Sequence, residues 1–299
     1  MMRILGIVGV QVCICVPIIV FQFCKGKEFF SKEYWGYALR IGIPIVPHYL
    51  SGIILNQGDR IMIDKMVGKT EVALYGLAYS IGMLVQLFIS GMNSALTPWM
   101  YSKIKKGDIR SMRKVLQLLS IVVVGIAVAL MLISPELVLI FGSPKYREAV
   151  YVIPPVAASV FFIFIYNILS MPQFYYEKTQ FLMAASMAAA GANVVLNFIF
   201  IRLFGYIAAG YTTLACYMLY SVGHYIVSKQ ILVNEGIQEN LMSPGFLVAC
   251  SVFLIGASII CNLIFPYRIL RYAILLASAG LVFWKKELLL KTMADIRKK

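Results

Sequence analysis

Ionisable and amide side chains set inside an apolar stretch are the first chemical signal in this chain. Leu39 to Asp64 reads LRIGIPIVPHYLSGIILNQGDRIMID, long enough to cross a bilayer, yet it carries Arg40, His48, Asn56, Asp59, Arg60 and Asp64. Polar groups at membrane depth cost several kcal/mol unless they face protein or water, so they mark a candidate site. On a continuous helix His48, Gly52, Asn56, Asp59 and Arg60 fall within a sector of roughly 120°. That is a polar stripe with a small residue in its middle, the pattern of a helix lining a cavity. Two guanidinium groups, Arg40 and Arg60, suit phosphate oxygens, which they bind bidentately. Asp59 is placed to hold Arg60 or to bind a coupling proton or sodium ion, and Asp64, four residues on from Arg60, to pair with it. The competing reading makes Asp59, Arg60 and Asp64 the solvated outer end of the helix.

A second stripe follows. Gln86, Ser90, Asn93 and Thr97 are spaced i, i+4, i+7, i+11, which keeps them on one helical face. They suit sugar hydroxyls, and equally the hydrogen-bonded contacts that hold helices together in bilayers. Asn193 and Asn197, one turn apart in a small-residue run, read as structural. His48 and His224 are the only histidines and lie in different runs. The six cysteines (13, 15, 24, 216, 250 and 261) form neither a zinc-ligand spacing nor a disulfide framework. No G-x-x-x-x-G-K-[ST], H-E-x-x-H or G-x-S-x-G motif occurs, so the sequence points away from an enzyme and implies no cofactor beyond the coupling ion.

The elements that must position these residues are membrane helices. Hydrophobic residues make up 61% of the chain and charged ones 13%, with a mean hydropathy of +0.84. A soluble domain is nearer half apolar and a quarter charged. The fold expected is therefore an all-α polytopic membrane protein. Its net charge of +14 is explained by basic residues on one membrane face, with no nucleic-acid partner. Nine apolar runs are long enough to span, at 4–23, 37–58, 72–100, 115–134, 149–171, 180–201, 206–228, 245–264 and 269–284. Pro44 and Pro47 predict a kink in the second. The segment 135–148, short and interrupted by proline and glycine, reads as an interfacial connection. Alternate loops hold twice as many Lys and Arg on one side as on the other, which places the C-terminus in the cytoplasm and Met1 outside.

Two stretches carry a resemblance. LRIGIPIVPHYLSGIILNQGDRIMIDKMVG with VALYGLAYSIG, and NVVLNFIFIRLFGYIAAGYTTLACY, resemble the C-terminal half of bacterial polysaccharide flippases. These are the O-antigen and capsule repeat-unit exporters of the multidrug/oligosaccharidyl-lipid/polysaccharide exporter superfamily. The resemblance runs from Tyr37 to about Lys229. It implies a bacterial plasma-membrane protein that moves undecaprenyl-diphosphate-linked oligosaccharide, with the bilayer and polysaccharide polymerase machinery as partners. Such proteins commonly have twelve or fourteen helices in two six-helix lobes. Nine helices then imply residues 1–24 as the last helix of an absent first lobe, 37–231 as the six-helix second lobe, 245–286 as a peripheral pair and 287–299 as a basic tail. With that substrate class, the polar stripes make Arg40, His48, Asn56, Asp59, Arg60, Gln86 and Asn93 the candidate substrate-binding residues, the two arginines at the anionic head group. Drug export by the same fold, a membrane enzyme of glycan assembly and a non-catalytic scaffold are the alternatives.

Overall fold

The structure, a computed structural model, describes residues 2–27 and 30–284, so the basic tail expected at 287–299 lies outside the described residues. Among the described residues every regular element is helical: α1 (Met2–Gly26), α2 (Lys32–Met66), α3 (Lys69–Gly82), α4 (Leu84–Lys105), α5 (Ile109–Phe141), a 3₁₀ segment (Pro144–Val152), α6 (Ile153–Tyr175), α7 (Thr179–Phe204), α8 (Ala208–Asn234), α9 (Pro244–Ile264) and α10 (Arg268–Trp284). Each of the nine apolar runs falls on this series. Among the described residues, seven helical stretches are long and apolar enough to cross a membrane. The remaining two runs form α8, which carries many hydroxyl side chains, and α10, 17 residues long. The chain is an all-α polytopic membrane protein.

The chain divides into two compact units, residues 1–43 and 44–299, and the boundary falls inside α2 at Pro44. The helix itself does not end there: it is continuous through both prolines to Met66, beyond the limit of 58 read from hydropathy. The third run departs from expectation in the other direction. It is two helices, broken at Met83 (φ −83°, ψ 1°). A Cβ on Gly82 would stand 2.7 Å from Val156 Cγ1, so the missing side chain lets α6 approach the break.

The second unit is built around α6. Its sequence IPPVAASVFFIFIYNIL is apolar on every face, which suits a helix surrounded by others. Residues 152–165 are buried without interruption. Helices α5 and α8 pack along it, and α7 packs on α8. The inward face of α7 is Ser186, Ala189, Ala190, Asn193, Asn197 and Ile201, mostly small residues that let the two backbones come close.

One expectation is corrected. Residues 135–141 are not part of an interfacial connection but the last turns of α5. Pro135 has no N–H for the carbonyl of Met131, and the Ser134 hydroxyl takes that acceptor instead at 2.8 Å. The adjacent carbonyl of Leu132 receives Arg271 Nη1 from α10 at 2.6 Å. The same guanidinium forms a bidentate pair with Glu136 at 2.7 and 2.8 Å. With its freed acceptor satisfied, the helix passes the proline. Only residues 144–152 form a separate element, and Ala149, Val150 and Val152 anchor it in the core.

Candidate functional site

The polar face of α2 meets α3, α7 and α8 inside the second unit. Asp59 is fully buried. Its Oδ2 accepts hydrogen bonds from Tyr75 OH at 2.5 Å and Thr213 Oγ1 at 2.7 Å, and its Oδ1 from Asn197 Nδ2 at 2.6 Å. Asn197 Nδ2 also reaches Asn193 Oδ1 at 3.1 Å, and the Thr212 hydroxyl donates to Asn197 Oδ1. Among the described residues no cation pairs with this carboxylate. A buried charge is expensive unless paired or hydrogen-bonded. Here neutral donors from three helices supply the whole compensation.

One turn earlier on α2, Asn56 Oδ1 accepts from Tyr79 OH at 2.8 Å and Tyr217 OH at 3.2 Å, while its Nδ2 donates to the Gly52 carbonyl at 2.7 Å. His48 Nδ1 lies 3.0 Å from Tyr220 OH. On α8, Thr213, Tyr217, Tyr220 and His224 are spaced i, i+4, i+7, i+11, and this face meets the stripe on α2.

His48, Tyr49, Gly52, Asn56 and Gln57 of α2 line a cavity of about 460 Å3 with Tyr166, Asn167, Ser170 and Phe174 of α6 and Tyr217 and Tyr220 of α8. Its walls join aromatic faces to amide and hydroxyl groups, and none of these lining residues is a carboxylate. Tyr166 stacks at 6.3 Å from Tyr217 and lies 4.5 Å from Tyr220. Arg60 stands at the margin through Gln57, whose Oε1 accepts from Arg60 Nη1 at 2.8 Å. The guanidinium lies 5.1 Å from the Tyr79 ring centroid, and its buried Nε has no partner. A larger groove of about 540 Å3 between α7 and α8 is lined almost wholly by apolar side chains, among them Phe200 and Phe204. Its lining offers hydrocarbon contacts and little hydrogen bonding.

The structure therefore brings His48, Asn56, Asp59 and Arg60 into one neighbourhood. Gln86 and Asn93 stand outside it: they sit on α4 and are not among the cavity's lining residues, and Gln86 Oε1 is buried without a partner. Arg40 is exposed and belongs to the first unit. The Arg60–Asp64 ion pair does not form: Asp64 is exposed, and Arg60 turns to Gln57 and Tyr79 instead. Nor is Asp59 part of a solvated helix end, because α3, α7 and α8 cover it.

Sequence reasoning missed Tyr75, Tyr79, Thr213, Tyr217 and Tyr220, and it read Asn193 and Asn197 as structural only. Asn197 bonds side chains across the helix interface. The signal was the hydroxyl spacing on α3 (Tyr75, Tyr79) and α8, which passes for interface aromatics in a hydropathy reading. His224 is buried, with Nδ1 2.7 Å from Gln173 Nε2 and its ring edge-on to Tyr220.

Comparison with known proteins accords with this architecture. Residues 4–105 match the polysaccharide biosynthesis protein family. The Lsg locus protein 1 of Haemophilus influenzae is 28% identical over 172 residues, 54% of this chain and 41% of that protein. An uncharacterized membrane protein of the same bacterium is 29% identical over 191 residues, 60% of this chain and 46% of that protein. The chain thus spans less than half the length of these two relatives. A MOP superfamily transporter from Pyrococcus furiosus has the same fold, with a TM-score of 0.55 at 19% identity over 75% of this chain and 52% of that one. Over residues 4–105 this polytopic membrane protein is thus similar in sequence to the polysaccharide biosynthesis protein family, and over three quarters of its length it shares the fold of a MOP superfamily transporter.

Proposed function

We propose that the cavity on α2, α6 and α8 receives the saccharide of an undecaprenyl-diphosphate-linked repeat unit during its translocation for polysaccharide biosynthesis. The observation that carries this reading is the lining. Aromatic faces of Tyr166, Tyr217 and Tyr220 beside Asn56, Gln57 and Asn167 suit a sugar, which offers both C–H faces and hydroxyls. The Arg60 guanidinium, which Gln57 holds at the margin of the cavity, suits the diphosphate. A lining without carboxylates lacks the feature that would favour small cationic drugs. O-antigen and capsule units are the glycans this reading covers, and polymerase machinery is the partner downstream.

The Asp59 cluster is assigned to the coupling ion. Asp59, Asn193, Asn197, Thr212 and Thr213 offer carboxylate, amide and hydroxyl oxygens, a donor set that fits a hard cation such as sodium, or a proton on Asp59. In the orientation proposed, the bacterial plasma membrane holds the chain with its C-terminus in the cytoplasm. A cysteine replacing Lys106 is then shielded from a membrane-impermeant reagent added to intact cells, and one replacing Ser143 is labelled. The reverse pattern contradicts that orientation.

Deleting the gene in its host tests the transport reading. Lipid-linked repeat units are expected to accumulate on the inner leaflet while surface polysaccharide falls. An unchanged lipid-linked pool with normal surface polysaccharide overturns it.

A further inference from the structure

Helices α2, α3 and α8 meet in two stacked rungs. Asn56 and Asp59 stand one turn apart on α2, and each takes one hydroxyl from α3 and one from α8. At the inner rung Tyr75 and Thr213 donate to Asp59 at 2.5 and 2.7 Å. At the outer rung Tyr79 and Tyr217 donate to Asn56 at 2.8 and 3.2 Å. The donors on each helix are four residues apart, so one helical turn separates the rungs on all three helices. Only the outer rung reaches the cavity. Asn56 and Tyr217 line it, whereas Asp59, Tyr75 and Thr213 are fully buried and do not.

Any change of charge at Asp59 alters what its two hydroxyl donors and Asn197 must do. Packed interiors settle into discrete arrangements rather than deforming continuously, and a helix is stiff over a single turn. A displacement of Thr213 against α2 is therefore carried to Tyr217, and one of Tyr75 to Tyr79. We propose that Tyr217 is a positioning residue that transmits the state of Asp59 to the wall of the cavity. Asp59 acts on the cavity's occupant without touching it, through the hydroxyl that Tyr217 places on Asn56. The functional weight of this link rests on the reading of the cavity as the saccharide site, but its test needs no saccharide.

Gly52 supplies the reporter. It lines the cavity one turn before Asn56, and a Cβ there meets no atom within 4 Å. In a Gly52→Cys chain, the rate of alkylation by a hydrophilic maleimide is read on that peptide by mass spectrometry, so the six native cysteines stay in place. Adding Asp59→Asn changes this rate at least threefold. With Tyr217→Phe also present, the response disappears and the rates with and without Asp59→Asn are equal. A Tyr217 that only packs would shift the baseline and leave the response intact, and that result overturns the proposal. A rate indifferent to Asp59→Asn while Tyr217 is present overturns it too. Thr213→Val withdraws one hydroxyl from the same carboxylate and serves as the second perturbation where Asp59→Asn does not fold. Loss of this coupling leaves the saccharide reading standing, and failure of saccharide binding leaves the coupling measurable.

Discussion

Glu136 on α5 and Asp59 on α2 are both acids within membrane-spanning helices, and they are compensated in opposite ways. Glu136 meets Arg271 in a bidentate pair and also accepts from Tyr272 OH at 3.0 Å. Asp59 meets three neutral donors and, among the described residues, no cation. In the first pair the charges cancel, and the planar fork fixes α10 against α5 at the proline. In the second no cation among the described residues faces the carboxyl group, and the groups that hold it can also turn their oxygens inward. A carboxylate closed by an arginine is a fastening. One surrounded by hydroxyls and amides remains open to a proton or a cation, which is why function is assigned to Asp59 and structure to Glu136.

The largest expected effect comes from breaking the closed pair. Arg271→Ala leaves Glu136 without its cation and is expected to cost about 3–5 kcal/mol, seen as a fall in the detergent unfolding midpoint. Replacing both partners by leucine recovers most of that loss, because two apolar groups leave no orphan charge. A double variant as unstable as Arg271→Ala alone would contradict the fastening role.

Withdrawing one donor from the open carboxylate comes next. Thr213→Val keeps the shape and removes a hydrogen bond to a charged acceptor, worth about 1.5–3 kcal/mol in the same unfolding assay. Asp59→Asn is smaller, about 1 kcal/mol or less. The weaker bonds to a neutral amide are offset by relief from burying an uncancelled anion. The same acid-to-amide change at Glu136 strands Arg271 and costs several times more. Equal losses at Asp59→Asn and Glu136→Gln would dissolve the distinction between the two sites.

The smallest effect belongs to Arg40. Exposed on the first unit, it is expected to shift the unfolding midpoint by no more than about 0.5 kcal/mol when replaced by alanine.

These contrasts also show what was legible in the chain. Hydropathy placed all nine runs, because burial in lipid demands an unbroken apolar length. It missed the break at Met83, where packing of α6 against Gly82 rather than composition ends the helix. It also stopped α5 at Pro135, since the compensating Ser134 is local but Arg271 is remote in sequence. At the site, the stripe on α2 was visible because its residues are strongly polar and share one helix. Asn56 and Asp59 needed partners from α3, α7 and α8, and a tyrosine hydroxyl hidden in an apolar run gives no hydropathy signal.

The most direct test of the account is equilibrium binding of an undecaprenyl-diphosphate-linked disaccharide to the purified chain in detergent, compared with Asn56→Ala, Tyr217→Ala and, in the apolar groove between α7 and α8, Phe200→Ala. The two cavity variants are expected to bind at least tenfold more weakly, a loss of about 1.4 kcal/mol or more, and Phe200→Ala to bind like the parent. Parental affinity in both cavity variants would contradict the assignment of this cavity to the saccharide.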